Sequence, residues 1–361
     1  MNRTAPVAVV RPSIRPRRVR RRTAPHPARA ARGTWRKHFR ASVVWMAVAF
    51  AGWQLALGVF VDQQPPGVRD PEYGLLEERL KARIAGHPDR PVAVFVGSSR
   101  VAIGFDAARA VADDDLTLFN FGVPGSGPFL HAAVIDRLTA AGVRPDVLFI
   151  EIVHPFYNEA GVRSLDQSLL DGARLDAAEA AGLLAYGRKS SGPLRRYAAG
   201  RALPIVRHQA ELRDAAGLDV FQPGEGPRPA TGAVDELGFR PRHFRPDERP
   251  VMTALAHKQY DEFFARFRLD PVPWDLLLDT IAKAKARGTR VAVVFTPEGT
   301  EFRSLYAAEV RAGVAEMMNR LRTTAGVDVI DARDWVTDDG FYDHHHLLPA
   351  GAAQFAERFR V

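Results

Sequence analysis

The chain of 361 residues is 46% hydrophobic and 25% charged, which is typical of a folded protein with one large α/β domain or two small ones. Its net charge of +8 is uneven: residues 1–61 carry 13 Lys and Arg and no Asp or Glu, whereas residues 62–361 carry 37 basic and 42 acidic residues. The mildly acidic remainder argues against a nucleic-acid partner, and the absence of cysteine excludes disulfides, thiolate catalysis and Cys-ligated zinc.

The N-terminal region divides into a basic tail and an apolar stretch. Residues 1–40 are rich in Pro, Arg and Ala, with a cluster at Arg17-Arg18-Val19-Arg20-Arg21-Arg22, and predict a disordered segment. Residues 41–61 have only two polar side chains, Ser42 and Gln54. As a helix they would measure roughly 31 Å, enough to cross the hydrocarbon core of a bilayer. They predict a transmembrane helix, with a cleaved signal peptide or a buried helix as alternatives.

The charge asymmetry around this stretch predicts its orientation. Arginines precede it, whereas the acidic residues Asp62, Asp70 and Glu72 follow it. By the positive-inside rule, the N-terminus is expected in the cytoplasm. We therefore expect a single-pass membrane protein whose residues 62–361 form an extracytoplasmic domain, in the periplasm or at the cell surface.

A valine-rich run at residues 92–96 predicts a strand buried on both faces, as in a parallel sheet covered by helices, and four further largely apolar runs in this region also predict strands. Helical patterns separate them, which implies right-handed crossovers. We expect an α/β fold: a three-layer α/β/α sandwich with a five-stranded parallel sheet, preceded by one transmembrane helix. The predicted strands cover residues 92–96, 116–121, 147–152, 290–295 and 327–330, and the helical patterns cover 75–86, 107–111, 129–141, 274–287, 304–323 and 352–360.

A long insertion, residues 156–272, separates the third predicted strand from the fourth. It contains short helical patches at 168–189 and 251–269 and a Pro/Gly-rich run at 221–250. Loops of this length are usually functional or disordered. The insertion is expected to form a lid or a wall of the substrate site, with a spacer as the alternative.

Polar residues at two places indicate nucleophilic catalysis. Gly97-Ser98-Ser99-Arg100 follows the first strand, where ligands bind in open parallel sheets. Near the end of the chain, Asp343-His344-His345-His346 precedes the last helix. An Asp three residues before a His can hold its Nδ1, which leaves Nε2 to deprotonate a serine. A simple turn at the serines, a zinc site at the histidines and a nucleotide site at the Gly-rich residues 122–127 are the alternatives.

These motifs together resemble the SGNH (GDSL-like) hydrolase superfamily. The resemblance places Ser99 at the nucleophile position and Ser98 where the family has an aspartate. It assigns Asn120-Phe121-Gly122-Val123-Pro124-Gly125 to the second block, with the backbone N–H groups of Ser99 and Gly125 in the oxyanion hole. It makes Asp343 and His346 the remaining members of the triad.

The third block departs from the family pattern. The family has an oxyanion-hole asparagine after the third strand, but here the chain reads Val153-His154-Pro155-Phe156-Tyr157-Asn158. His154 or Asn158 is expected to substitute for it. Asn120 and Arg100 are further expected oxyanion or substrate-binding residues, although Arg100 could equally steady a carboxylate or cap the following helix.

The resemblance implies a function at the cell envelope. The membrane-anchored branch that the chain looks like includes alginate O-acetyltransferase-like and D-alanine transfer proteins. We expect a serine O-acyltransferase or O-acetylesterase acting on an envelope polysaccharide or another acyl ester, with a membrane-bound acyltransferase as partner. No cofactor, metal or nucleic acid is expected. A general extracytoplasmic esterase or lipase and a non-catalytic envelope scaffold are the alternatives.

Overall fold

The computed structural model describes residues 27–111, 115–159, 174–186, 198, 201–208 and 234–360. The predicted arginine cluster at residues 17–22 and parts of the predicted insertion lie outside these residues. The helices are α1 (Pro27–Gln63), α2 (Pro66–Arg69), α3 (Pro71–Gly86), α4 (Ser99–Gly104), α5 (Ala107–Ala110), α6 (Pro128–Ala140), α7 (Ala177–Tyr186), α8 (Pro204–Arg207), α9 (Arg249–Ala265), α10 (Pro271–Ala286), α11 (Thr300–Ser304), α12 (Ala308–Arg320) and α13 (Pro349–Phe359).

Five strands form one parallel sheet in the order β2-β1-β3-β4-β5. This order reverses direction between β1 and β3, which is the position where ligands bind in open α/β sheets. The predicted α/β fold with a five-stranded parallel sheet is confirmed, and each strand lies within one or two residues of its predicted bounds. The strands are β1 (Val92–Gly97), β2 (Thr117–Gly122), β3 (Val147–Glu151), β4 (Arg290–Phe295) and β5 (Asp328–Asp331).

The sheet separates two hydrophobic cores. In β1, Val92, Val94 and Val96 pack into the core shared with α3, α6, α10 and α12. Ala93 and Phe95 of the same strand face the other core, which is shared with α5 and α13. Side chains alternate between the two faces of a strand, so a continuous apolar run is what a sheet covered on both faces requires.

Helix starts are set by short local signals. Asp70 precedes Pro71 at the start of α3, and its carboxylate accepts a hydrogen bond from the Tyr73 N–H at 3.4 Å. Asp270 precedes α10 in the same way and accepts from the Val272 N–H at 3.1 Å. An aspartate N-cap followed by proline satisfies a free N–H and fixes the first helical turn.

One helix among the described residues, Trp35–Gln63, is long and apolar enough to cross a membrane, with a mean hydropathy of 1.8. It is part of α1, which begins at Pro27. The expectation of a disordered segment over residues 1–40 is therefore wrong for residues 27–40. Alanine and arginine are strong helix formers, and proline is tolerated in a first helical turn, so the apolar helix extends backwards into the basic segment. Two compact units divide between Trp53 and Gln54 in the sequence.

A segment of the predicted insertion, Val234 to Arg240, covers an edge of the sheet. The backbone N–H of Asn120 in β2 donates to the carbonyl of Leu237 at 2.8 Å, and the Arg240 N–H donates to the carbonyl of Ala102 at 2.8 Å. An edge strand left open is prone to pair with other chains. The segment from Val234 to Arg240 therefore protects β2 and brings the following residues towards the end of β1.

Candidate active site

The end of β1 presents Ser99 at the start of a helix. The strand stops at Gly97, where an added Cβ would lie 2.9 Å from a Glu151 carboxylate oxygen and closer still to Val101. Ser98 caps α4, because its Oγ accepts from the Arg100 N–H at 3.2 Å. Ser99 is therefore the first residue of α4, on a sharp turn between strand and helix, and it is partly buried.

The loop before α13 brings a histidine and an aspartate to this serine. Ser99 Oγ lies 2.8 Å from His346 Nε2, and His346 Nδ1 lies 2.8 Å from Asp343 Oδ2. The loop is closed by a bridge between Phe341 and Leu347. The three residues predicted as a triad are therefore in hydrogen-bonding order: serine, imidazole and carboxylate.

Asp343 is held by several donors at once. Its Oδ1 accepts from the backbone N–H groups of His346 at 2.8 Å and His345 at 3.2 Å. Burial alone would raise the pKa of this carboxyl group, but the charge and hydrogen bond of His346 hold it well below the usual range. Asp343 therefore stays ionised and can stabilise an imidazolium on His346.

Two backbone N–H groups are available to bind an oxyanion. Val123 to Ser126 form a tight turn closed by a 3.0 Å hydrogen bond, with Pro124 at its second position and Gly125 at its third. Gly125 has φ +79°, the left-handed conformation that a type II turn requires there. Within the described residues, neither the Gly125 N–H nor the Ser99 N–H donates a hydrogen bond to the protein.

The glycine-rich turn is tied directly to the nucleophile strand. The Val123 N–H donates to the carbonyl of Gly97 at 2.8 Å, and Ser126 Oγ donates to the same carbonyl at 2.9 Å. His131 Nε2 lies 3.0 Å from Ser126 Oγ. Since the Ser126 hydroxyl proton is used on Gly97, the imidazole of His131 must donate to Ser126. His131 thus braces the turn from the first helical turns of α6.

Asn120 and Asn158 make hydrogen bonds to the backbone of the protein. Asn120 Nδ2 donates to the carbonyls of Val101 and Phe105, both at 2.7 Å, and its Oδ1 accepts from the Gly122 N–H. Asn158 Nδ2 donates to the Arg266 carbonyl at 2.6 Å. Both amides are buried and committed to the backbone. Because backbone carbonyls distant in sequence accept from both amides, the geometry does not favour the expected contact with substrate.

Arg100 and His154 lie in a buried cluster beside α4 instead of at the surface of the cleft. Arg100 Nη1 donates to Glu298 Oε1 at 2.9 Å, and its guanidinium lies 5.4 Å from the ring centre of Phe302. His154 Nδ1 is 3.9 Å from the same Glu298 oxygen. Arg100 therefore steadies a carboxylate of the protein itself, which is one of the roles expected of it, and both ring nitrogens of His154 are buried. The substrate-binding role expected of the two residues stays a prediction.

Burial determines the ionisation of this cluster. It lowers the pKa of His154 to about 4, so the imidazole is neutral at physiological pH. Burial alone would raise the pKa of Glu298, but the neighbouring His154 and the Arg100 guanidinium, which also donates a hydrogen bond to it, lower the pKa. The cluster therefore contains one ion pair, Arg100 with Glu298, and a neutral histidine.

Glu151 is a further site residue that the sequence did not reveal. It closes β3, and its two carboxylate oxygens accept from the Ser98 N–H and from Thr296 Oγ1. It therefore links the ends of β1, β3 and the chain after β4. Glu151 and Glu298 could have been found as single acidic residues at or just after the carboxyl ends of predicted buried strands.

An aromatic wall stands beside His346. Tyr342 stacks on the His346 ring and places its hydroxyl 3.2 Å from Nδ1. Phe244, from the predicted insertion, stacks on Tyr342 with ring centres 3.5 Å apart, and Arg242 lies over Phe244 at 4.9 Å. One part of the insertion therefore contributes to the surroundings of the triad.

The alternative of a metal site concerns the same loop. Ligand atoms of Asp343, His345 and His346 all lie within 4.8 Å of one another. Both ring nitrogens of His346 already face Ser99 and Asp343, and His345 is stacked on Phe302 at 5.4 Å. His344 points elsewhere, with its Nε2 2.9 Å from Glu301. This geometry is better suited to proton transfer than to holding an ion.

The arrangement can perform nucleophilic acyl transfer. A serine hydroxyl faces a histidine base, and a carboxylate orients the base. Two N–H groups that donate no hydrogen bond among the described residues lie in the turns after β1 and β2. A comparison with models of known protein families and with curated protein sequences finds no match.

Proposed function

We propose that this protein is a membrane-anchored serine acyl-transfer enzyme, an O-acyltransferase or O-acetylesterase, that acts on a cell-envelope polysaccharide. The single observation that carries the proposal is the 2.8 Å contact between Ser99 Oγ and His346 Nε2, with Asp343 behind the imidazole. A serine is a weak nucleophile unless an adjacent base takes its proton. This contact supplies such a base.

In the proposed reaction, Ser99 Oγ attacks the ester carbonyl while its proton passes to His346 Nε2. The oxyanion of the tetrahedral intermediate is bound by the N–H groups of Ser99 and Gly125. The intermediate collapses to an acyl-serine, and the leaving alcohol takes the proton from His346. A water molecule or a sugar hydroxyl then gives its proton to His346, attacks the acyl-serine and receives the acyl group, which restores Ser99.

The cellular setting of the proposal comes from the N-terminal charge pattern and the motifs. We propose that α1 crosses the membrane once, with the basic N-terminus in the cytoplasm and the sheet domain outside. An envelope polysaccharide as substrate and a membrane-bound acyltransferase as partner follow from the resemblance to membrane-anchored SGNH-like proteins. Protease treatment of spheroplasts tests the orientation: the domain should be digested while a cytoplasmic marker protein stays intact, and a fully protected domain would overturn it.

Covalent labelling tests the catalytic part. A fluorophosphonate probe should label the wild-type protein and the control Ser98→Ala, but not Ser99→Ala. Ser98 is the right control because it is the neighbouring serine and its Oγ serves as a helix cap. Equal labelling of Ser99→Ala would reject the assigned nucleophile. If the folded wild-type protein does not react with the probe, the result favours the alternative of a non-catalytic envelope scaffold.

A product assay separates transfer from hydrolysis. The purified protein is given an acetyl ester donor with and without an oligosaccharide acceptor, and acetylated oligosaccharide and free acetate are both measured. A transferase should convert donor to acetylated acceptor at the expense of acetate. If the acceptor changes neither quantity, water is the acceptor and the protein is an esterase.

A further inference from the structure

Exposed apolar side chains form a patch at one end of the unit Gln54–Val361. Leu55, Val59 and Phe60 on the last turns of α1 are 72%, 48% and 53% exposed. On α8 and the residue before it, Leu203 and Val206 are 43% and 61% exposed. Apolar side chains exposed side by side on a folded protein mark an interaction surface.

The segment that carries Leu203 and Val206 packs directly on α1. Gln54, a polar residue inside the apolar stretch, is only 5% exposed, and its Oε1 accepts from the Ile205 N–H at 3.3 Å. One turn further along, a Cβ on Gly58 would lie 3.4 Å from Cγ of Pro204. The segment therefore covers the polar Gln54 and the small Gly58 while its own apolar side chains face outwards.

Polar interactions begin where the apolar stretch ends. Arg201 forms an ion pair with Asp62, the first charged residue after Val61. Arg69 is 3% exposed and donates to the carbonyls of Asp62 at 3.2 Å and Gln64 at 3.0 Å. Charged residues of this kind are expected at the level of the lipid headgroups and beyond.

The position of Gln54 gives the depth of the contact. Gln54 precedes Val61 by about two helical turns, or roughly 10 Å along the axis. If α1 crosses the bilayer, the residues that pack on Gln54 lie about that far inside the end of the hydrophobic stretch. We propose that residues 203–207 form a second membrane contact beside α1, with Leu203 and Val206 against lipid acyl chains.

Continuity with the apolar surface of α1 identifies lipid as the occupant. The patch contains side chains of both elements, and the Arg201–Asp62 ion pair marks its polar border. A short segment lying in the interface with apolar side chains inserted is a common form of membrane contact. The proposal depends on α1 spanning the membrane but not on the proposed catalytic activity.

The absence of cysteine makes the experiment direct. Leu203→Cys and Val206→Cys are each labelled with the fluorophore NBD in the full-length protein, reconstituted one copy per nanodisc of phosphatidylcholine and phosphatidylglycerol. Leu55→Cys is the membrane control. Leu255→Cys, 53% exposed on α9, is the control for an apolar position on the domain surface. We expect blue-shifted emission at positions 203, 206 and 55, quenched by doxyl-labelled lipid, and water-like emission at 255.

Each other outcome would overturn the proposal. Water-like emission at both 203 and 206, with quenched emission at 55, would place the segment in solvent beside an inserted α1. Blue-shifted emission that lipid does not quench would mean that a protein partner covers the patch. Unquenched emission at 55 would remove the membrane span on which the contact depends, while fluorophosphonate labelling of Ser99 would still report on catalysis separately.

Discussion

At the scale of single residues, Asp343 is the group on which the proposed base depends. It accepts from two backbone N–H groups and from His346 Nδ1, so it fixes both the loop and the imidazole tautomer. Asp343→Asn should reverse that tautomer preference and lower turnover by about 10⁴-fold. The measurement is the rate of ester cleavage together with the rate of fluorophosphonate labelling. Activity close to wild type in a folded variant would exclude the triad.

Asp343→Asn should also change how the free energy of unfolding depends on pH. The pKa of Asp343 is lower in the folded protein than its ordinary value of 3.8, so its charge stabilises the fold above about pH 4. That contribution is lost as the pH falls through the lower, folded-state pKa. The difference in free energy of unfolding between wild type and Asp343→Asn should therefore shrink on acidification from pH 5 to pH 2. A constant difference would contradict the assigned role of the charge.

His131 gives the opposite kind of pH dependence. Burial lowers its pKa from 6.5 to about 3, so the unfolded chain takes up a proton that the folded protein refuses. Stability attributable to this group falls as the pH drops from 6.5 towards 3. Between pH 7 and pH 5, the free energy of unfolding of the wild type should fall by about 2 kcal/mol more than that of His131→Gln. Each pH unit below 6.5 contributes about 1.4 kcal/mol to this difference.

Urea unfolding at the two pH values measures this effect, and Ser126→Ala is its matched control. That variant removes the hydroxyl bonded to His131 but keeps the imidazole buried. It should retain the wild-type pH dependence, because burial causes the pKa shift. If the free energy of unfolding of His131→Gln depends on pH as strongly as that of the wild type, other groups account for the acid sensitivity.

At the scale of elements, the ion pair of Arg100 with Glu298 joins α4 to the chain after β4. Both side chains are buried, at 4% and 1% exposure. Breaking a buried pair leaves an uncompensated charge, so Glu298→Gln should lower the free energy of unfolding by about 3–5 kcal/mol. The double substitution Arg100→Met with Glu298→Leu should recover most of that loss. Chemical denaturation of the wild type, the single variant and the double variant measures these free energies. If the double variant is as unstable as the single one, an uncompensated charge does not explain the loss.

The strands, the main helices and the contact of Ser99 with His346 are predictable from the sequence, but other long-range contacts around the site are not. Val92–Gly97 is a continuous apolar run, which a sheet covered on both faces requires, and the other strands are largely apolar. Ser99, Asp343 and His346 were found because their local motifs are specific. Glu298 was not found, since nothing near it in sequence indicates that Arg100, 198 residues away, would need its charge. The hydrogen bonds of Asn120 could not be predicted, because its partners are backbone carbonyls, which leave no trace in a sequence pattern.

At the scale of the whole molecule, the last turns of α1 belong to the folded domain. Arg69 donates to carbonyls at the end of that helix, and its ion pair with Asp176 connects it to the residues before α7. Truncation should reveal this dependence. A chain of residues 54–361 should be more stable than one of residues 66–361 by about 1–3 kcal/mol, because the shorter chain leaves a buried guanidinium without these acceptors.

Both truncated chains are compared in the same mild detergent, since the longer one keeps exposed apolar side chains of α1. The control is Arg69→Met in each chain: it should reduce the difference, because a methionine needs no carbonyl acceptors. If the two chains unfold at the same denaturant concentration, the end of α1 is merely attached to the domain. If the difference persists with Arg69→Met, contacts other than those of Arg69, such as that of Gln54 with Ile205, account for it.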